Sequence, residues 1–145
     1  MPAWVDAGYQ EYAKRLQGDI KLDLLEIPLQ GKSKKMDSIT AKRREAELIL
    51  GAIPDKVDVI ALDERGAPWS TMTLSKKMEN WRAAARDVCL LVGGPNGLDQ
   101  SCLDRASQTW ALSALTFPHP LVRIIVAEQI YRAQSILANH PYHRA

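Results

Sequence analysis

The sequence predicts an α/β fold built on a parallel sheet. Apolar residues alternate along the chain between the spacing of helices and the spacing of buried strands. Segments of the two kinds follow one another, an order typical of parallel strands covered by helices on both faces. A length of 145 residues with 46% hydrophobic residues fits one domain over residues 1–145, with a core large enough to be stable alone.

The first half of the chain predicts a helix, a strand, a second helix, a second strand and a turn. Their expected ranges are 4–16, 20–27, 36–50, 57–63 and 64–69. Pro28 ends the first strand. The second helix is expected to begin near Asp37 or Ser38 and to stop at Gly51, since small polar residues favour helix starts and glycine favours helix ends.

The second half predicts three helices separated by two strands and a glycine loop. In chain order these are a helix to residue 85, a strand over 87–92, the loop 93–97, a helix over 98–107, a strand over 109–115 and a helix over 121–137. Thr71 or Thr73 can cap the first of them. Ligand sites of open parallel sheets lie beyond the carboxyl ends of the strands. The loops after residues 63, 92 and 115 are therefore the expected site.

The charge balance excludes two classes of protein. Nineteen Lys and Arg against seventeen Asp and Glu give a net charge of +2, which fits neither a strongly basic nucleic-acid tail nor an acidic disordered chain. A local basic stretch over 31–44 suits either a phosphate-bearing partner or a solvated surface. Its basic residues are Lys32, Lys34, Lys35, Lys42, Arg43 and Arg44.

The two cysteines, Cys89 and Cys102, lack the spacing of a metal or redox motif. Both are expected to act as small buried apolar residues. We expect no bound metal, because the histidines near the carboxyl end have no cysteine or carboxylate partners in a zinc-like pattern. The sequence shows no signal peptide and no apolar run of membrane-spanning length, so a cytoplasmic protein without a membrane partner is expected.

Two loops are candidate binding segments. Gly93-Gly-Pro-Asn-Gly97 follows a buried strand, where glycines allow either a tight structural turn or a close backbone approach to a ligand. It matches neither the dinucleotide nor the P-loop pattern. Residues 112–120 are uncharged, carry hydroxyls and end in two prolines. They suit either an apolar, backbone-lined cavity or a buried connection.

The long helix over 121–137 is apolar around most of its circumference, which predicts cover on both sides and hence a dimer. Glu128 and Arg132 are four residues apart on it and therefore share a face of the helix. They form either a surface ion pair or a half-buried polar element of a site. His119 precedes this helix, and the tail residues His140, Tyr142, His143 and Arg144 follow it. Such a tail either frays or folds over a base or phosphate.

Four separated motifs carry a resemblance to a known family. They are Leu91-Val-Gly-Gly-Pro-Asn-Gly97, Leu112-Ser-Ala-Leu-Thr-Phe-Pro-His-Pro-Leu-Val-Arg123, Glu128-Gln-Ile-Tyr-Arg-Ala133 and Asn139-His-Pro-Tyr-His-Arg144. Together they closely resemble the bacterial ribosomal RNA large-subunit methyltransferase H family, of the SPOUT class. Trp4-Val5, Glu11-Tyr12, Leu62-Asp63 and Pro68-Trp69 also match, so the resemblance covers nearly the whole chain.

The resemblance implies a homodimeric α/β SPOUT fold with a deep trefoil knot in its carboxyl-terminal half. It also implies S-adenosylmethionine as cofactor and methylation of N3 of a pseudouridine in 23S rRNA of the large ribosomal subunit. Members of the family usually have a short strand before the position of Met1. We expect its absence here to leave a sheet edge or a gap. Asn96 stands where the family commonly has an acidic residue, and a loop that works through its backbone tolerates this change.

Carried over by position, the resemblance implies that the cofactor lies against a set of neutral residues: Leu62, Gly93, Gly94, Leu112, Ser113, Ala114, Leu115, Thr116 and Phe117. The catalytic groups are then expected among His119, Glu128, Arg132, Tyr142, His143 and Arg144, with the general base unassigned. A non-catalytic RNA-binding or ribosome-assembly protein on the same fold is the alternative. A nucleotide-dependent enzyme is disfavoured because the glycine loop has no lysine.

Overall fold

A computed structural model describes residues 1–28 and 37–144. These residues form two compact units, one of Met1–Leu24, Trp69–Ala85 and Phe117–Ala145, called the helical unit, and one of Leu25–Pro68 and Arg86–Thr116, called the sheet unit. Lys32, Lys34 and Lys35 of the basic stretch lie outside the described residues. The expectation of a single domain stays a prediction.

The described residues contain five helices and three strands. In chain order they are α1 (Ala3–Ala13), α2 (Ser38–Ala52), β1 (Val57–Pro68), α3 (Thr71–Ala83), β2 (Asp87–Leu91), α4 (Gln100–Arg105), β3 (Gln108–Ala111) and α5 (His119–Leu137). No helix in the described ranges is both long enough and apolar enough to cross a membrane.

The sheet unit confirms the predicted parallel sheet. Its strand order is β2-β1-β3, and β1 runs parallel to both neighbours. Val59, Ile60 and Ala61 of β1 are almost completely buried, as expected for a central strand of a parallel sheet. The core beneath them includes Leu91 and the buried thiol of Cys102. Burial raises the pKa of that thiol.

The turn predicted over 64–69 is wrong, because β1 continues to Pro68. The register of β1 against β3 shifts, so that Leu62 and Ala67 both pair with Trp110. The register is interrupted between them, and there the Asp63 carboxylate accepts a hydrogen bond from the Arg65 N–H at 2.9 Å. The local turn signal in the sequence is therefore real, but it produces an irregularity inside a strand.

The strand predicted over 20–27 is also wrong. Residues 20–28 lie outside the three strands found in the described part of the chain. Leu24 is 45% and Leu25 is 68% exposed, so the apolar alternation does not correspond to one buried face. A strand requires a hydrogen-bonded neighbour, which local periodicity cannot supply.

Side-chain caps set the beginnings of three helices, α2, α3 and α4, and the Asp99 carboxylate caps α4 by accepting from Ser101 N–H at 3.1 Å. The Asp37 carboxylate accepts a hydrogen bond from Thr40 N–H at 2.7 Å before α2. Ser70, rather than the predicted Thr71 or Thr73, caps α3 by accepting from Thr73 N–H at 3.0 Å. These bonds satisfy backbone donors left open in a first helical turn.

Other boundaries differ from the predictions by a few residues. α2 continues past Gly51 to Ala52, α4 is shorter at both ends than the predicted helix, β3 ends at Ala111 and α5 begins at His119. Pro120 stands in the first turn of α5, where its missing N–H removes no helical hydrogen bond.

In the helical unit, α1 and α3 pack against α5. Thr71 donates to the Gln129 side chain at 2.7 Å. The Gln134 side chain bonds to the backbone of Gln17 in both directions, donating to its carbonyl at 2.6 Å and accepting from its N–H at 3.1 Å. α5 is thus the common support of this unit.

We predict that Gly66→Ala lowers the free energy of unfolding by about 1–3 kcal/mol through overpacking. A Cβ at Gly66 would lie 2.6 Å from the backbone of Thr109, whereas a Cβ at Gly51 in α2 meets nothing within 4 Å. Gly51→Ala is the matched control and should raise stability by about 0.5–1 kcal/mol. Urea unfolding followed by circular dichroism measures both, and equal effects would contradict the β1–β3 geometry.

Candidate active site

The predicted cofactor residues of the sheet unit lie beside or after the carboxyl ends of β2 and β3. Leu62 of β1 pairs with Trp110 of β3, and the preceding Ala61 pairs with Leu91 of β2. Because the strands are parallel, the chain leaves β2 and β3 on either side of Leu62. Gly93, Gly94 and residues 112–116 follow those exits, whereas Phe117 belongs to the helical unit.

The glycine loop closes on itself. Gly97 N–H donates to the Gly94 carbonyl at 2.9 Å, and Gly97 has a φ of +77°. A Cβ on Gly93 would lie 2.6 Å from the carbonyl carbon of Gly97. The turn alone therefore explains why glycine is needed at these two positions. Asn96 at its tip is exposed.

Residues 112–116 form an irregular, uncharged segment after β3. Leu115 is 68% exposed, and its N–H donates to the Ser113 hydroxyl at 3.0 Å. Ala114 and Thr116 are also exposed. An irregular backbone with apolar and hydroxyl side chains offers donors, acceptors and apolar surface without charge, which suits a neutral heterocycle such as adenine.

A charged pair, Asp63 and Arg65, stands directly beside Leu62, and neither residue was among the predicted site residues. The Arg65 side chain donates to the Asp63 carboxylate at 2.9 and 3.2 Å, and these hydrogen bonds hold the pKa of Asp63 below its usual value. An open depression next to this pair is lined by Asp63, Arg65, Gln100, Leu103 and Thr109. The sequence feature that could have identified this pair is an Asp and an Arg two residues apart after a buried strand.

At the carboxyl end of α5 the chain turns back on the helix. Asn139 has a left-handed backbone with φ of +54°. Its N–H donates to the Ile136 carbonyl at 3.1 Å, and His140 N–H donates to the Ser135 carbonyl at 2.8 Å. These two bonds form a Schellman motif, in which asparagine is the usual alternative to glycine. The tail therefore leaves the helix along a defined path.

The returning tail meets α5 at Glu128 and Arg132. The Tyr142 hydroxyl donates to Glu128 Oε1 at 3.1 Å, and Arg132 Nη1 lies 3.2 Å from His143 Nδ1. The ring of Tyr142 also packs edge-on against Tyr131, with centroids 4.7 Å apart. The structure thus brings together four of the predicted catalytic residues, here called the tail cluster: Glu128, Arg132, Tyr142 and His143.

The Glu128 carboxylate is the centre of the tail cluster. Its Oε1 accepts from Arg132 Nε at 2.7 Å and lies 2.6 Å from Arg132 Nη2. Its Oε2 accepts from the Gln129 side chain at 2.8 Å. The Glu128 and Arg132 side chains are only 16% and 26% exposed. Of the two alternatives left open by the sequence, the geometry supports the half-buried polar element.

The cluster holds its hydrogen-bond donors in their protonated forms. Burial, reinforced by the negative charge and the hydrogen bond of Glu128, raises the pKa of Tyr142. The hydrogen bond to Glu128 raises the pKa of Arg132. Since a raised pKa keeps the phenol protonated at neutral pH, Tyr142 and Arg132 both act as donors there.

Two predicted catalytic residues lie outside the tail cluster. His119 is the first residue of α5, nine residues before Glu128, which is about 14 Å along the helix axis. Arg144 is exposed and follows His143. The described residues contain no group of three His, Cys, Asp or Glu side chains that could hold a metal ion.

An aromatic support beneath the cluster was also missed. Tyr131, which contacts Tyr142, has the Arg15 guanidinium 5.5 Å from its ring centre, and Arg15 lies 5.3 Å from the ring of Tyr12. Tyr131 lies within the motif around Glu128, but its neighbours come from α1 and the segment after it. Sequence spacing alone could not show that contact.

Comparison of the sequence with known proteins shows the family of this chain. A family model described as a predicted SPOUT methyltransferase matches residues 1–143. The chain belongs to the SPOUT methyltransferase family. This confirms the predicted family and the predicted methyltransferase class.

Curated relatives match over nearly their whole length. A protein of Marinomonas sp. (strain MWYL1) is 54% identical over 144 residues, covering 99% of this chain and 93% of the relative. Proteins of Hahella chejuensis and Alkalilimnicola ehrlichii are each 51% identical, covering 99% and 100% of this chain and 92% and 93% of the relatives. All three are named ribosomal RNA large subunit methyltransferase H.

We predict that the left-handed backbone at Asn139 makes this position sensitive to residue type. Asn139→Gly should leave the free energy of unfolding unchanged, whereas Asn139→Val should lower it by about 1–2 kcal/mol because a branched side chain disfavours this conformation. The matched control is Asn80→Val on the exposed face of α3, where Asn and Val have similar helix propensity. Urea unfolding decides, and equal losses for the two valine variants would contradict the motif.

Proposed function

We propose that this protein uses S-adenosylmethionine to methylate N3 of a pseudouridine in 23S rRNA of the large ribosomal subunit. The observation that carries the proposal is the tail cluster, which gathers a guanidinium, an imidazole and a phenol at one place on α5. Such groups suit a base and its phosphate. The names of the relatives support the substrate class.

We assign the cofactor to the edge of the sheet unit, where the neutral residues that would hold it are Leu62, Gly93, Gly94, Leu112, Ser113, Ala114, Leu115 and Thr116, followed in the chain by Phe117. The uncharged, irregular segment after β3 fits an adenine ring. When bound, S-adenosylmethionine supplies an electrophilic methyl group on a positively charged sulfur. The protein's contribution is then mainly alignment, and no metal is required.

The substrate must lose a proton from its N3 imide nitrogen, and the contacts of the predicted catalytic residues argue against some of them as its acceptor. Glu128 already accepts hydrogen bonds from three side chains. Tyr142 keeps its proton because its pKa is raised. Arg132 and Arg144 are cations that cannot act as bases. His119 and His143 are the remaining candidates of the predicted set.

The remaining assignments concern partners and place. Arg43 and Arg44 of α2 are exposed, and we assign them to RNA phosphates, which bind basic side chains strongly. We further propose a homodimer that acts in the cytoplasm on assembled or nearly assembled ribosomes, with α5 as part of the dimer contact. Neither a metal nor a membrane takes part in this scheme.

We predict that removal of residues 142–145 eliminates methyl transfer to ribosomes while leaving the affinity for S-adenosylmethionine nearly unchanged. The deletion removes the phenol and the imidazole of the tail cluster, but it removes none of the proposed cofactor residues. Labelled-methyl transfer measures the first effect and calorimetry the second. Arg86→Met is the control, because Arg86 pairs with Asp58 on the surface of the sheet unit. The Arg86→Met protein should methylate ribosomes at the full rate.

Each outcome of this experiment is informative. A truncated protein that methylates at the full-length rate would deny the tail any catalytic or RNA-positioning role, leaving His119 as the remaining candidate for the base. A full-length protein that binds ribosomes and transfers no methyl would overturn the enzymatic assignment, in favour of a non-catalytic RNA-binding or ribosome-assembly protein.

A further inference from the structure

We propose that Arg132 is a positioning residue that fixes His143 in the tautomer with its proton on Nε2, so that His143 meets the substrate as a hydrogen-bond donor. The inference deepens the proposed function, on which it rests for the identity of the substrate. It separates two roles, base and donor, that the same imidazole could have in a methyl transfer to an imide nitrogen.

The contact between the two side chains decides the tautomer. Arg132 Nη1 lies 3.2 Å from His143 Nδ1. A guanidinium has donors only, so Nδ1 must be the acceptor and must hold a lone pair rather than a proton. In a neutral imidazole the proton then stands on Nε2. A proton on Nδ1 would place two N–H groups face to face and add a positive charge beside the guanidinium.

Arg132 is itself held in place from several sides. Nε and Nη2 both contact Glu128 Oε1, at 2.7 and 2.6 Å, and this fork sets the direction in which Nη1 points. The guanidinium carbon lies 4.8 Å from the centre of the Tyr142 ring, and the Tyr142 hydroxyl donates to the same Glu128 oxygen. Rotation of Arg132 away from His143 would break this set of contacts together.

The consequence for the reaction follows from the single lone pair of a neutral imidazole. That lone pair is engaged by Arg132, so His143 is poorly placed to accept the N3 proton. When N3 loses its proton to an acceptor other than His143, the electron pair left behind spreads over N3 and the two neighbouring carbonyl oxygens. A fixed Nε2–H directed at one of those oxygens stabilises the anion most when its charge is greatest. His143 is then a catalytic donor, and Arg132 acts through it.

The tautomer can be observed directly, without any substrate. The chain has three histidines, so long-range proton–nitrogen correlation spectra of histidine-labelled protein at about pH 8 are simple, and His143→Gln assigns the His143 signals. We expect His143 to show a bare Nδ1 and a protonated Nε2. Arg132→Met should shift the Nδ1 signal toward partial protonation. Arg86→Met is the control, because Arg86 pairs with Asp58 on the surface of the sheet unit.

A protonated Nδ1 in the wild-type protein would overturn the inference. A His143 spectrum unchanged by Arg132→Met would overturn it as well. Neither result would touch the proposed function, because ribosome methylation is measured separately. Conversely, a wild-type protein that methylates no ribosomes would refute the proposed function, and the tautomer of His143 could still be determined from the spectra.

The donor role predicts a second, kinetic signature. Glutamine places an amide N–H near the position of Nε2, so His143→Gln should keep methyl transfer within about tenfold of the wild-type rate. His143→Ala should lose about 100-fold, the usual cost of removing one donor to a developing anion. Equal losses in both variants, with cofactor affinity retained, would show that the imidazole acts as a base and would contradict the donor role.

Discussion

Glu128 and Arg132 lie one helical turn apart on α5, and the ordered tail depends on their ion pair. The carboxylate accepts from Arg132, Tyr142 and Gln129, while the guanidinium contacts both tail side chains. Because the pair is half-buried, loss of either partner would leave the other charge poorly solvated. The helix fixes the spacing of the pair, and the pair fixes where the tail ends.

The tail cluster also needs support from outside α5. The Schellman motif at Asn139 reverses the chain direction, and Tyr131 provides an edge-on surface for Tyr142. Arg15 covers that tyrosine from the segment after α1. The chemistry of the last residues therefore depends on packing contributed by the first fifteen, which explains how a short tail without a core of its own becomes ordered.

Much of this arrangement could be predicted from sequence where the determining interactions are local. The parallel sheet followed from alternating periods, and the long carboxyl-terminal helix from its apolar spacing. The strand at 20–27 and the turn at 64–69 were wrong because strand pairing depends on a partner distant in sequence. Asn139 was overlooked as a helix terminator, although asparagine after a helix is a recognised signal. The knot comes from the family resemblance, whereas the homodimer comes from that resemblance and from the apolar circumference of the long helix, and both stay predictions.

The two units differ in the chemical character of the groups that they offer to a ligand. The sheet unit offers neutral backbone and apolar surface at the edge beside Leu62, whereas the helical unit offers charge and aromatic rings. A positively charged sulfonium cofactor needs alignment more than charge neutralisation. A polyanionic RNA needs cations and stacking surfaces. Each unit thus matches one of the two proposed reactants.

Mass-spectrometric mapping of 23S rRNA tests the central claim most directly. The comparison is between cells that lack the gene and the same cells complemented with it. The account predicts that one pseudouridine of 23S rRNA loses a methyl group at N3 in the deletion strain and regains it on complementation. An unchanged set of methylated pseudouridines in the three strains, wild type, deletion and complemented, would contradict it.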